Sequence, residues 1–349
     1  GAGRRRGSPV PRHEFAGHAE SLEQLPALNP ETRYTATYYD AGVRAPERVG
    51  LELALDAIAA NPRARFATYV EAVSVEGGAV VLRDTVNGTE LTLTADVVVN
   101  ASGPWTDLTN EALGEATRYM GGTKGSHIVV DNPELHAACA GREIFFENED
   151  GRIVLVYPQH GRVILGTTDI PADPREPARC TDEEIDYFIE LSARVFPTIP
   201  VTREQIVFRY AGIRPLPRSE GEDPGAIPRD YRLVWGTLPG AATPVLSLVG
   251  GKWTTFRALG EKVADEVLDR LGRARVASTR GRAIGGGKGF PSEAEREAWI
   301  AEHLPDTTPA RADVLLDRYG TRAIEVARAE SARGTAWERA RGTAPACQV

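Results

Sequence analysis

Three cationic residues and one histidine stand where apolar segments meet turns. Arg214, Arg229 and Lys252 each flank an apolar run, and His127 opens another after a glycine-rich stretch. An arginine fork or a lysine ammonium suits phosphate or carboxylate. Because the sequence shows neither paired carboxylates nor a Ser–His–Asp order, the pattern favours binding of an anion over hydrolysis. Surface cations and a structural histidine are the alternative interpretation.

The segment around Lys252 is typical of a strand, a glycine turn and a helix. Residues 246–249 are apolar, Gly250 and Gly251 interrupt them, and apolar residues then recur at helical spacing over residues 256–271. Glycines let a backbone approach a ligand closely, and a helix start offers unpaired N–H groups. Such an end suits a phosphate or the negative charge of a reduced flavin ring. An ordinary βα unit with a solvated lysine would give the same pattern.

A second predicted buried strand also ends in small residues. The valine run of residues 96–100 is followed at once by Ala101, Ser102 and Gly103. Small side chains at this position would let a nucleotide cofactor lie against the backbone. A simple strand end is the alternative.

Composition limits the classes of protein to consider. The chain has 349 residues, enough for two domains, and its net charge of −8 argues against a nucleic-acid binder. No apolar run approaches the roughly 20 residues of a membrane span, and no signal peptide is evident. The three cysteines have no metal-binding spacing. We therefore expect a cytoplasmic protein without a metal site.

Periodicity gives a coarse map of the chain. Residues 1–30 begin basic and rich in glycine and proline, which predicts a disordered head. Helices are predicted at residues 46–60 and 181–196, the second opened by a capping box of Thr181 and Glu184. Strands are predicted at residues 34–39, 64–75, 79–86, 91–100, 152–157, 162–168 and 206–210. The map indicates a fold with α/β and antiparallel parts that binds an anion beside a nucleotide-like cofactor.

Residues 34–270 resemble the FAD-dependent glycerol-3-phosphate dehydrogenase family, which belongs to the D-amino-acid-oxidase-like flavoproteins. The matching segments, in the order of the family, are YYD (38–40), NASGPW (100–105), KGSHIVV (124–130), GTTD (166–169), GIRPL (212–216), RDY (229–231) and GGKWTT (250–255). Each segment alone is a weak signal, whereas seven in the same order are specific. The tail, with DVLLDRYG (313–320), resembles part of the family's helical C-terminal domain.

The resemblance implies a domain organisation. Residues 31–110 and 245–272 would form the remainder of a Rossmann-like FAD domain, and residues 111–244 an antiparallel substrate domain. Residues 273–349 would form part of a helical C-terminal domain.

The resemblance also implies roles for individual residues. Ala101, Ser102 and Gly103 would lie along the FAD, and Gly250, Gly251 and Thr254 would approach the flavin ring. Arg214 would lie over the flavin and hold the substrate oxygen, whereas Arg229 and Lys252 would bind the substrate phosphate. His127 is the candidate base.

The implied reaction is oxidation of sn-glycerol 3-phosphate to dihydroxyacetone phosphate, with hydride transfer from C2 to flavin N5. The electrons would pass to a quinone or to a partner subunit, with peripheral contact at the inner face of the cell membrane. The resemblance is also compatible with a homo-oligomer.

One feature of the family is absent from this sequence. No G-x-G-x-x-G loop follows a predicted strand, although the family holds the FAD pyrophosphate with one, and the glycine-rich residues 285–289 lie outside such a context. We therefore expect an incomplete Rossmann-like domain. An inactive remnant of the enzyme, or a related flavin oxidase of amino or hydroxy acids, is the alternative function.

Overall fold

The chain folds into two compact units. The computed structural model describes residues 11–40, 42–43, 45–148, 151–218 and 230–342, and only the backbone of residues 333–342. The first unit comprises Gly1–Asp40 and Tyr69–Ser278, and the second comprises Ala41–Thr68 and Thr279–Val349.

The strands of the described chain all belong to the first unit. They are β1 (Glu14–Gly17), β2 (Tyr34–Thr37), β3 (Val70–Glu76), β4 (Ala79–Asp84), β5 (Glu90–Leu93), β6 (Val98–Asn100), β7 (Thr123–Val130), β8 (Ile144–Glu147), β9 (Ile153–Gln159), β10 (Arg162–Gly166), β11 (Ile170–Pro171), β12 (Ile206–Arg214), β13 (Arg232–Thr237) and β14 (Pro244–Val249).

Helices occur in both units. They are α1 (His18–Gln24), α2 (Pro46–Ala60), α3 (Thr106–Ala112), α4 (Pro133–Ala138), α5 (Asp182–Val195), α6 (Phe256–Arg270), α7 (Arg296–His303), α8 (Pro309–Tyr319) and α9 (Ala323–Gly342). None of the described helices is both long and apolar enough to cross a membrane. The mixed α/β architecture with a helical C-terminal region confirms the predicted fold class.

A six-stranded antiparallel sheet carries the main core. Its order is β11-β7-β10-β9-β8, and β12 also pairs with β7. β9 and β10 are antiparallel neighbours, as the sequence predicted. Because side chains alternate along a strand, Ile128 and Val130 of β7 point into the core, where Val163 and Phe188 are also fully buried. The opposite face of β7 presents His127.

The start of α5 is fixed to this sheet by a buried ion pair. The predicted capping box is present: Glu184 N–H donates to Thr181 Oγ1, and Thr181 N–H donates to Glu184 Oε2 at 2.8 Å. Lys124 Nζ lies 2.8 Å from Glu184 Oε2, and Thr168 Oγ1 donates to Oε1 at 2.6 Å. Burial raises the pKa of Glu184, but these hydrogen bonds together outweigh it and leave the pKa below its usual value. The carboxylate is therefore charged and paired.

A smaller sheet contains the parallel strand pair of the first unit. Its order is β13-β14-β6, with β14 antiparallel to β13 and parallel to β6. A third sheet, β3-β4-β5, is a meander whose second turn contains Asn87 and Gly88. Gly88 has a φ of +77°, which explains the glycine in that turn.

Three predicted strands differ from the observed strands by more than two residues. The strand predicted at residues 206–210 continues as β12 to Arg214. Residues 91–100 form two strands, because β5 pairs with β4 whereas β6 pairs with β14 in a different sheet. The strand predicted at residues 64–75 begins only at Val70, where pairing with β4 begins.

The disorder predicted for residues 1–30 does not hold for the later part of that segment. β1 and α1 lie within it, and Leu25 and Leu28 are buried in the main core. Asn29 is bonded to the end of α5, because its backbone N–H donates to Val195 O at 2.8 Å. Residues 1–10 lie outside the described chain. This part of the segment is folded because Leu25 and Leu28 pack into the core, although the composition of the segment's start suggested disorder.

The second unit places α2 with the C-terminal helices. Arg322 Nε lies 2.7 Å from the buried Glu52 on α2, and Arg48 also pairs with Glu52. The glycine-rich turn at Gly285 donates its N–H to Asp56 on the same helix at 2.8 Å. The unit boundaries therefore differ from the predicted domain boundaries, which assigned α2 to the FAD domain. The division into cofactor and substrate domains stays a prediction.

Candidate functional site

Two turns meet at one edge of the small sheet. β6 and β14 are parallel, with Asn100 opposite Ser247, so the residues that follow both strands emerge side by side. Ala101, Ser102 and Gly103 follow β6, whereas Gly250 and Gly251 follow β14. Ligands of open α/β sheets bind at the carboxyl ends of parallel strands. The structure thus brings together the two small-residue turns that the sequence singled out.

The turn after β6 is held by buried polar side chains. Ser102 Oγ donates to Asn100 Oδ1 at 2.7 Å, and Asn100 Nδ2 donates to Asn110 Oδ1 at the same distance. Thr109 Oγ1 donates to Ser102 Oγ at 2.8 Å. The Ser102 hydroxyl hydrogen is therefore used within the fold. Gly103 has a φ of +63° and open space where a Cβ would point, so the backbone of this turn is accessible to a ligand.

The glycine turn after β14 is packed against the segment that follows β12. Gly250 has a φ of +81°, and a Cβ there would lie 2.6 Å from Asp230 O and 2.9 Å from Pro217 Cγ. Gly251 has a φ of +110°. Both positions favour glycine. Since Pro217 follows Arg214 by three residues, this contact links the end of β12 to the sheet edge.

Lys252 and Thr254 lie at the exposed start of α6. Thr254 belongs to a single 3₁₀ turn, Trp253–Thr255, that leads into the helix. No side chain of the described chain caps the first N–H groups of this turn or of α6. Lys252 has no ion-pair partner among the residues that the structure describes. The arrangement leaves a charge and a helix start available to an anion.

His127 lies on the non-core face of the large sheet. It is opposite Tyr210 of β12 and Gly166 of β10. The imidazole stacks on the Tyr210 ring, with centroids 4.9 Å apart and planes 10° apart. Burial, and then the charge of Arg214, lower the pKa of His127 to about 4. The imidazole is therefore neutral at pH 7 and able to accept a proton.

Arg214 lies on the same face of the sheet as His127. Along β12 it follows Tyr210, which pairs with His127, by four residues, and it pairs with Thr123 of β7. Its guanidinium donates to Thr167 Oγ1 at 2.8 Å and to Asp169 Oδ1 at 3.1 Å. A Cβ on Gly125 would collide with the guanidinium, so the glycine makes room for it. The arginine is thus held in one place beside a neutral histidine.

An open cavity of about 390 Å³ lies between β12 and the 3₁₀ turn that ends at Trp105. Trp105, two residues after Gly103, forms one wall, and Gly212, between Tyr210 and Arg214 on β12, forms another. Trp105 Nε1 donates to Pro174 O at 3.1 Å, which closes a third side.

A comparison with known families decides the class of this protein. Residues 2–266 match the family described as FAD dependent oxidoreductase. The chain belongs to the FAD-dependent oxidoreductase family. This confirms the predicted cofactor class and the prediction of an oxidoreductase.

Relatives of this FAD-dependent oxidoreductase carry more specific names. A glycerol-3-phosphate dehydrogenase of Synechocystis sp. is 34% identical over 282 residues, covering 74% of this chain and 49% of the relative. An aerobic glycerol-3-phosphate dehydrogenase of Staphylococcus aureus is 32% identical over 273 residues, covering 74% and 47%. The chain spans about half the length of these curated relatives.

A solved structure shares the fold. The glycerol-3-phosphate dehydrogenase from Bacillus halodurans, complexed with FAD, superposes with a TM-score of 0.69 at 24% identity. The superposition covers 91% of this chain and 64% of that chain.

The residues at the sheet edge fit the cofactor of an FAD-dependent oxidoreductase. The open backbone at Gly103, the left-handed glycines after β14 and the uncapped start of α6 offer the close approach and the N–H donors that a flavin nucleotide needs. Arg229 lies outside the described residues. Individual roles within the site stay predictions.

Sequence reasoning missed three residues of the candidate site. Tyr210 stacks on His127, whereas Thr167 and Asp169 accept hydrogen bonds from Arg214. Tyr210 could have been found, because residues 210, 212 and 214 share one face of a strand. Thr167 and Asp169 belong to the GTTD segment, which carried a resemblance but no role.

Proposed function

We propose that this chain carries the flavin- and substrate-binding residues for FAD-dependent oxidation of sn-glycerol 3-phosphate to dihydroxyacetone phosphate. The observation that supports this most is the neutral His127 held beside the fixed Arg214 on one face of the large sheet. The relatives' names give the substrate class.

The cofactor would be held at the edge of the small sheet. Ala101, Ser102 and Gly103 would lie along the FAD, and Gly250, Gly251 and Thr254 would approach its ring. When bound, FAD supplies the two-electron acceptor for the C2 hydride. The N–H groups at the start of α6 would stabilise negative charge on the ring.

His127 would act as the general base. Its neutral imidazole takes the proton of the C2 hydroxyl as the C2 hydride leaves, so that a carbonyl forms at C2. Arg214 would donate to that oxygen and orient the C2–H bond. Because Thr167 and Asp169 hold the guanidinium, it needs little reorganisation to do so.

Lys252 and Arg229 would bind the substrate phosphate. Lys252 is exposed next to Gly251, and Asp230, the neighbour of Arg229, lies beside Gly250. Two cations on a dianion would distinguish the phosphorylated substrate from glycerol and from amino or hydroxy acids. The electrons would continue to a quinone or a partner subunit, in a homo-oligomer with peripheral contact at the inner face of the cell membrane.

Replacing Lys252 by methionine tests the phosphate assignment. A lost charge-assisted contact of about 1.5–3 kcal/mol should raise KM for glycerol 3-phosphate by about 10- to 100-fold. The rate with unphosphorylated glycerol should not change. Lys288→Met, which removes an exposed lysine of the second unit, is the control. An unchanged KM in Lys252→Met would remove this residue from the phosphate site.

A further inference from the structure

The imidazole of His127 has aromatic and glycine neighbours on the two strands that flank β7. Tyr210 stacks on it from β12, and Gly166 lies opposite it on β10. A Cβ on Gly166 would collide with Cδ2 of the imidazole and lie 2.9 Å from Nε2. Because Gly166 does not have a left-handed φ, the close approach of His127 is what requires glycine there.

Polar contacts within the described chain do not fix this ring. The Nδ1 atom of His127 is buried without a hydrogen-bond partner among the described residues. Many catalytic histidines are oriented instead by a carboxylate or carbonyl that accepts from this nitrogen. The nearby carboxylate of Asp169 accepts from Arg214. The plane of the imidazole is therefore set by packing.

We infer that Tyr210 and Gly166 are positioning residues for His127. The Tyr210 ring fixes the plane of the imidazole, and the missing Cβ of Gly166 lets the imidazole lie against β10. The inference rests on the proposed function, since it assigns both residues a role through the candidate base. In this arrangement the packing of neighbouring residues orients the candidate base, a role that a hydrogen bond to Nδ1 ordinarily has.

The charged and titratable groups that face His127 are few in the described part of the site. Arg214 comes from β12, Asp169 from the segment after β10, and Tyr210 from β12 with a pKa raised by burial. Arg214 and Asp169 are paired with each other, and neither residue is altered in the Tyr210 variants. A change in the His127 titration in Tyr210 variants would therefore report the loss of the stacked ring.

The test is a histidine-ring NMR titration of the full chain, with His127→Gln used to assign its signal among the six histidines. In Tyr210→Leu, water reaches the imidazole, and we expect the pKa of His127 to rise by about one unit or more. Tyr210→Phe keeps the stack and should stay within about 0.3 units of wild type. Phe208→Leu, which changes the exposed neighbour on the same face, is the matched control.

A second readout separates positioning from general damage. In the FAD-loaded chain, Gly166→Ala and Tyr210→Leu should each lower kcat at least tenfold with little change in KM, whereas Tyr210→Phe should restore kcat. The inference is overturned if Tyr210→Leu leaves both the pKa of His127 and kcat unchanged. If wild type does not oxidise glycerol 3-phosphate, the proposed function fails, whereas the titration still decides whether Tyr210 holds His127.

Discussion

The protonation state of His127 is determined by its environment, which includes Arg214. The imidazole is neutral because burial and the neighbouring guanidinium disfavour its charged form. The guanidinium is held in place by Asp169, whose Oδ1 lies 3.1 Å from it. A neutral base beside a fixed cation is suited to the removal of a hydroxyl proton.

We expect His127→Gln to lower kcat by about 10²- to 10⁴-fold, because the variant lacks a general base. FAD binding should be unchanged, since the proposed cofactor contacts come from residues 101–103 and 250–254 and not from His127. Anaerobic stopped-flow reduction of the flavin measures this, and His160→Gln in an exposed turn is the control. Full activity in His127→Gln would place the base elsewhere.

The pH dependence follows from the same residue. The lowered pKa means that the imidazole is in its basic form above about pH 4 and becomes protonated below it. The acidic limb of kcat/KM should therefore lie near pH 4, and His127→Gln should lack it. A limb near pH 6.5, the usual value for histidine, would contradict the buried environment described here.

Some of these site residues could be identified from the sequence, and others could not. His127, Arg214 and Lys252 could be selected by residue type and by their position at strand borders. Thr167 and Asp169 could not, because their contacts with Arg214 depend on how the segment after β10 folds against β12. Ser102 is the opposite case. The sequence predicted that it contacts the cofactor, but its hydroxyl group donates to Asn100 Oδ1 within the fold.

At the scale of elements, the turn after β14 is the most constrained part of the site. The periodicity of residues 256–271 predicted α6 to within one residue, because a long amphipathic helix is a strong local signal. The division of residues 91–100 into β5 and β6 could not be predicted, since it depends on partners distant in sequence.

Two glycines of this region should respond in opposite ways to alanine. Gly250→Ala places a Cβ 2.6 Å from Asp230 O at a left-handed φ, and we expect a loss of about 1–3 kcal/mol in the free energy of unfolding. Gly260→Ala, in the interior of α6 with open space around its Cβ position, should instead gain about 0.5–1 kcal/mol. Urea denaturation measures both. Equal stability of the two variants would contradict the packed turn.

At the scale of the whole molecule, family membership and fold agree with the site. The chain matches an FAD-dependent oxidoreductase family over residues 2–266 and shares its fold with a glycerol-3-phosphate dehydrogenase. The two compact units differ from the domains predicted from sequence, because α2 packs through Glu52 and Asp56 with residues 285–322. Contacts of such long sequence separation leave no local pattern.

The most direct test is a visible absorption spectrum of the purified chain after incubation with FAD and removal of the free cofactor. Glycerol 3-phosphate is then added without oxygen. We expect a bound flavin whose yellow absorption band bleaches with glycerol 3-phosphate and persists with glycerol. A bound flavin that stays oxidised in the presence of glycerol 3-phosphate would contradict the proposed substrate. A chain that retains no flavin would contradict the cofactor site at the edge of the small sheet.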